Sequence, residues 1–158
     1  MASFLPRYSL IVPLVCALLV ASQTFTVGNL RHNGFITTKG SAIGHDIKLV
    51  PRSGAGILKV DPPPNPKHTI TTSFRNEKSG LYVGVKGPAH PNSIPVWVTE
   101  KYEWTVEPSD GGQYVVYPPK AALLWYDGNT PAHTIQLKDP DQLVTLEGLV
   151  WDIKPVEE

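Results

Sequence analysis

Three short stretches hold residues whose types and spacing suit chemistry. Residues 37–45 read TTKGSAIGH, with Lys39 followed by the small residues Gly40 and Ser41. Residues 61–69 read DPPPNPKHT, with four prolines ahead of Lys67 and His68. Proline fixes φ, so this second stretch holds an extended form without help from the rest of the fold. A lysine on a rigid, extended loop can enter the acid-floored primary pocket of a trypsin-like protease. Rigidity matters there, because each side chain ordered on binding costs about 0.5–1.5 kcal/mol. Arg52, in PRSG, is a weaker third candidate of the same kind. The third stretch is LLWYDGN, which places Trp125 and Tyr126 beside Asp127 and Asn129. An aromatic face with polar neighbours suits a sugar ring and its hydroxyls. Each stretch also has a plainer reading. Either loop is also a solvated connector with an incidental lysine, and Trp125 is also ordinary core packing.

Enzyme chemistry has no comparable support. The five histidines (His32, His45, His68, His90 and His133) fall in turns or at strand edges, with no ligand-spaced pair. No nucleophile-elbow motif, phosphate-binding loop or dinucleotide fingerprint occurs. Asp139 and Asp141, in KDPDQ, form at most a small cation site, and a solvated turn accounts for them as well. The expectation is a protein that is not an enzyme and needs no cofactor or metal.

Lys plus Arg and Asp plus Glu number 14 each, so the net charge is zero. This gives no electrostatic reason to expect a nucleic acid or an anionic membrane as partner. Residues 1–22 stand apart. Arg7 precedes an apolar run of about 12 residues, too short for the ~20 that cross a bilayer as a helix. Small residues then lead to Gln23. That order is the one expected of a secretory signal peptide cut between Ser22 and Gln23, the alternative being an apolar leader that stays attached. The expected product is extracellular, monomeric and free of the membrane. The only cysteine, Cys16, lies in the leader. Residues 23–158 would then hold together by their core alone, without disulfides.

The elements that must position the three stretches come from a repeat. GILKVDP, YEWTVEP and LVWDIKP align Leu58 with Trp104 and Trp151, Val60 with Val106 and Ile153, and Pro62 with Pro108 and Pro155. The steps are 46 residues from Leu58 to Trp104 and 47 from Trp104 to Trp151. Each copy holds three earlier strand signals, rich in Val, Ile, Thr and aromatics and bounded by Gly, Pro, Asn or Asp. They begin at Thr24, Gly34 and His45, then Thr71, Gly80 and Ile94, then Gln113, Ala121 and His133. Apolar residues alternate along them, as at Leu81, Val83 and Val85, which means one buried face and one wet one. One such unit cannot bury its apolar face alone. The prediction is an all-β, twelve-stranded β-trefoil over residues 23–158. Its three four-strand repeats form a six-stranded barrel with three capping hairpins, and Leu58, Trp104 and Trp151 meet near the axis.

On these residues the chain resembles a known family. FRNEKSGLYVGV is similar to the opening hairpin of many trefoil repeats. YEWTVEPSDGGQYVV and VWDIKP resemble strands of the fungal β-trefoil protease inhibitors, the cospin-like serine protease inhibitors of mushrooms, related in fold to the mycocypins. The resemblance implies a serine protease as partner, bound by an inserted surface loop. It favours Lys39 with Gly40 and Ser41, since some of these inhibitors use that loop. Plant Kunitz-type trefoils use the connection that holds Lys67 and His68. The leader departs from the family pattern. Carbohydrate binding is the alternative expectation. It lacks the Gln that ricin-type lectins carry two residues before the repeat Trp, since Tyr102 and Leu149 stand there.

Overall fold

A computed structural model describes residues 23–143 and 145–157. The predicted leader, its cleavage point and Cys16 lie outside these residues, Gln23 apart. Twelve strands follow in chain order. The first repeat holds β1 (Thr24–Asn29), β2 (Gly34–Ile36), β3 (Leu49–Val50) and β4 (Leu58–Asp61). The second holds β5 (Ile70–Arg75), β6 (Tyr82–Gly84), β7 (Val96–Val98) and β8 (Trp104–Pro108). The third holds β9 (Tyr114–Tyr117), β10 (Leu124–Asp127), β11 (Ile135–Lys138) and β12 (Asp152–Pro155). Every predicted strand is present. Short 3-10 turns at Arg52–Gly54, Asp110–Gly112 and Pro140–Gln142 were not foreseen.

The first and fourth strands of each repeat close a ring. β1 pairs with β12 and β4, β4 with β5, β5 with β8, and β8 with β9. The bridge between Tyr114 and Trp151 joins β9 to the start of β12 and completes the circuit. A closed ring leaves no free edge to template association. The other six strands form three hairpins, β2–β3, β6–β7 and β10–β11.

The hairpins are locked to one another by a bond repeated three times. Trp97 N donates to His45 O at 3.0 Å, Leu49 N to His133 O at 2.7 Å and Leu137 N to Ser93 O at 2.8 Å. Each joins one repeat to another, and together they close the cap. A matching turn precedes each acceptor: His45 N bonds Ala42 O, Ser93 N bonds His90 O and His133 N bonds Thr130 O. The same local backbone geometry, used once per repeat, is how three dissimilar sequences make one threefold layer.

Leu58, Trp104 and Trp151 are all fully buried in a single core cluster. A fourth residue shares the centre. Trp125 lies edge-on to Trp104 (4.9 Å, 71°) and to Trp151 (5.7 Å, 83°), and Phe74 packs against it at 5.2 Å. Buried aromatic pairs in tilted or edge geometry contribute about 0.5–1.5 kcal/mol each beyond area burial.

Candidate functional site

The two ends of the LLWYDGN stretch have different fates. Trp125 is 0% exposed and its ring is enclosed by Phe74, Trp104 and Trp151. It has no face to offer a sugar, and the core-packing reading describes it. The expectation of stacking on Trp125 is corrected accordingly. On a strand, neighbouring side chains point to opposite faces, so Tyr126 turns away from that centre. It is only 7% exposed, yet its ring lines a surface cleft of about 480 Å³. Gln136 sits opposite Tyr126 in the β10–β11 register. Asn129, Lys138, Gln142, Thr145 and Glu147 also line it.

The cleft is braced from beneath. Asp127 is buried, and its Oδ1 accepts the backbone N–H of Asn129 at 2.8 Å. This Asx turn steadies Asn129 at φ 48°, a left-handed conformation that Asn tolerates better than most residues. Asp127 O accepts from His32 Nδ1 at 2.8 Å. Because a carbonyl only accepts, the proton is on Nδ1. His32 Nε2 then faces Glu147 Oε2 at 3.8 Å. Asn29, on the first strand, accepts His32 N and donates to Glu147 O at 2.8 Å and Val150 O at 3.1 Å. First and third repeats therefore meet under one wall. Tyr126 OH is within 3.2 Å of Thr145 Oγ1, which ties β10 to the loop before β12.

Among the described residues the Gln136 and Gln142 amides make no side-chain hydrogen bond within the protein. An amide donates through nitrogen and accepts through oxygen. A sugar hydroxyl also does both. The sequence singled out Tyr126, Asp127 and Asn129, which lie at or beneath this cleft, and did not point to Gln136, Gln142, Glu147 or His32. Gln136 reads only as an outward polar residue on an alternating strand. The others come from distant parts of the chain.

The first lysine loop is well anchored. Asn76, 3% exposed, donates Nδ2 to Ser41 Oγ at 2.8 Å. Gly44 N donates to Trp97 O at 2.8 Å. Gly40 and Gly44 have φ of 68° and 79°, which glycine adopts without strain. Lys39 is exposed, and Ile43 is the most prominent apolar residue of the loop at 68%. Lys67 and His68 are also exposed, on a separate loop where Asn65 Oδ1 accepts Lys67 N at 2.8 Å. The cation reading of Asp139 and Asp141 gives way to a turn. Asp139 caps the 3-10 turn by accepting Asp141 N at 3.0 Å.

No protein-family model matches the chain, and no curated protein sequence matches it. Solved structures do. A Macrolepiota procera ricin B-like lectin in complex with lactose is 20% identical, with a TM-score of 0.65, over 84% of this chain and 95% of that one. The Rhizoctonia solani agglutinin is 15% identical, with a TM-score of 0.68, over 85% and 96%. A designed threefold-symmetric protein, ThreeFoil, is 8% identical, with a TM-score of 0.64, over 82% and 96%. At these identities the likeness shows the fold, which is the β-trefoil. It gives no support to the fungal inhibitor family in particular.

Proposed function

We propose that the chain is a carbohydrate-binding β-trefoil, not an enzyme, and that the cleft of the third repeat is its site. The observation that carries this reading is the pair of amides, Gln136 and Gln142, on a cleft braced by Asp127 and His32. The cleft volume of about 480 Å³ falls within the range of about 300–1,000 Å³ usual for small-ligand sites. The walls are mostly neutral polar groups, with Lys138 and Glu147 the charged side chains, which suits a hydroxyl-rich ligand. Tyr126 supplies an apolar edge. Two fold neighbours being lectins, one with lactose bound, supports the same choice. The test is a glycan array probed with the wild type and with Gln136→Ala. Selective signals that disappear in the variant support the reading, and a blank array refutes it.

A second reading, serine protease inhibition by loop insertion, is favoured by the Asn76–Ser41 bond. It holds the Lys39 loop in place before any partner arrives, which lowers the ordering cost of binding. Titration against trypsin, chymotrypsin and papain tests it. Slowed trypsin supports the reading if Lys39→Ala abolishes the effect. The same variant series at Lys67 tests the proline-rich loop. In both readings the protein is proposed to be secreted and to act outside the cell as a monomer.

A further inference from the structure

We infer that the seam between the first and second repeats binds a tetrahedral oxyanion, a sulfate or phosphate group, at Lys59 and Arg75. The site shares no lining residue with the third-repeat cleft and does not rest on the saccharide reading. Lys59 and Arg75 stand directly opposite each other in the β4–β5 register. Their neighbours Val60 and Phe74 are buried in the core, so the two cations share the outer face. Like charges directly opposite on a sheet are destabilising. Among the described residues neither cation forms an ion pair with a carboxylate.

The fold does not demand cations at this place. The position that follows Leu58, Trp104 and Trp151 holds Lys59 in the first repeat, Thr105 opposite Tyr117 in the second and Asp152 opposite Gly28 in the third. Each pair lies beside an equivalent buried one, Val106 with Val116 and Ile153 with Val27. A neutral pair, or a carboxylate with glycine, is therefore compatible with the barrel. The first seam instead carries the cost of two facing cations, and a bound anion would offset it.

The two cations line a cleft of about 100 Å³ with Asp61, Ser73, Tyr82 and Lys101. It is small beside the third-repeat cleft and suits one compact group. Arg75 Cζ lies 5.6 Å from the centre of the Tyr82 ring, and Arg75 Nε donates to Gly80 O at 3.4 Å. These contacts hold the guanidinium in place before any ligand arrives. Its Nη groups make no hydrogen bond among the described residues. A guanidinium presents its N–H donors as a planar fork that matches two oxygens of one oxyanion. Lys59 adds a point charge from across the strand, and Lys101 stands at the rim, 3.7 Å from Glu103. Donors converging from three sides suit a group with more than the two oxygens of a carboxylate. Asp61 is the one carboxylate on the cleft; it is exposed and pairs with none of the three cations. The lining keeps an excess of positive charge although the chain as a whole is neutral.

The test is an NMR titration of the protein with sodium sulfate, sodium phosphate and a monosulfated glucose, with chloride and acetate as controls at matched ionic strength. Saturating shifts of the Arg75 Nε–H and of the Lys59 and Arg75 backbone amides are expected with the first three and not with the controls. Arg75→Lys keeps the charge but loses the fork, and should weaken binding about tenfold or more, the scale of one lost charge-assisted hydrogen bond. Lys59→Met should weaken binding too, yet raise the thermal midpoint in anion-free buffer because the facing charge is gone. Lys48→Gln, a cation outside this cleft, should change neither quantity. Tighter binding of the sulfated sugar than of inorganic sulfate assigns the group to a sulfated glycan, and equal binding assigns it to the free ion. Equal responses to chloride and sulfate, acetate binding as tightly as sulfate, or unchanged sulfate binding in Arg75→Lys or Lys59→Met would overturn the inference. None of these outcomes bears on neutral glycans at Gln136, so the saccharide reading stands or falls separately.

Discussion

Trp104 Nε1 donates to the carbonyl of Val83 at 2.8 Å, and Trp151 Nε1 donates to the carbonyl of Trp125 at 3.1 Å. The same bond ties the barrel to its cap in two of three repeats. The first repeat has Leu58 at the matching position, which has no donor. There the carbonyl of Ile36 accepts the backbone N–H of Gly56 at 2.7 Å. A main-chain donor has taken over from an indole. A Cβ on Gly56 would stand 2.5 Å from Thr38 N, so this approach requires glycine.

Trp104→Phe and Trp151→Phe should each destabilise the fold more than Trp125→Phe, although all three lose the same volume. The first two strand a buried carbonyl, which costs about 1–3 kcal/mol. The Trp125 indole nitrogen is buried without a partner, so its removal strands nothing. Urea unfolding of the three variants measures the difference. Equal midpoints would remove the barrel-to-cap bond from the account.

Gly56→Ala should cost about 1–3 kcal/mol by overpacking against Thr38. Gly40→Ala meets nothing within 4 Å, and its penalty comes from its φ of 68° alone. Thermal unfolding should rank Gly56→Ala below Gly40→Ala. The reverse order would contradict the close approach.

All twelve strands were legible in the sequence because strand alternation and turn residues are local signals. The repeat period was legible because Leu58, Trp104 and Trp151 occupy one structural position. Core packing of Trp125 was legible too, but its place at the centre was not, because its partners Phe74, Trp104 and Trp151 come from three distant parts of the chain. The cleft was half legible. Tyr126, Asp127 and Asn129 are neighbours in the chain, but His32 lies 95 residues from Asp127. Gln136 becomes informative through its register with Tyr126, which a strand's sequence does not reveal.

Asp127→Ala should loosen the Asn129 turn and weaken glycan binding, while Asp127→Asn should retain most affinity. The Asn oxygen can still accept the Asn129 N–H. Affinities from surface-immobilised glycan compare the two variants. Equal losses would show that the charge, and not the turn, is what matters.

Stability should fall as the solution is made alkaline. Burial holds the phenols of Tyr102, Tyr114 and Tyr117 above their ordinary value. Asp152 adds to this at Tyr114, and the hydrogen bond to Glu107 adds to it at Tyr117. A pKa raised by folding gives stability that is whole below the unfolded phenol value. It is lost as pH rises through the folded values, from about pH 10 upward. Phenolate absorbance should therefore lag behind that of a denatured sample. Coincident curves would contradict the burial.

Asn76→Ala should leave the fold in place but free the Ser41 loop, a change read by faster amide exchange at residues 39–44. If the protein inhibits trypsin, the same variant should inhibit it less. Unchanged exchange would show that Asn76 does not hold the loop.

The most direct measurement is a side-chain amide NMR titration with the strongest array glycan. Saturating shifts of the Gln136 and Gln142 amides, with the Asn129 backbone following, are predicted. Shifts confined to residues 37–48, with the two glutamines silent, would contradict the assignment of the third-repeat cleft as the binding site.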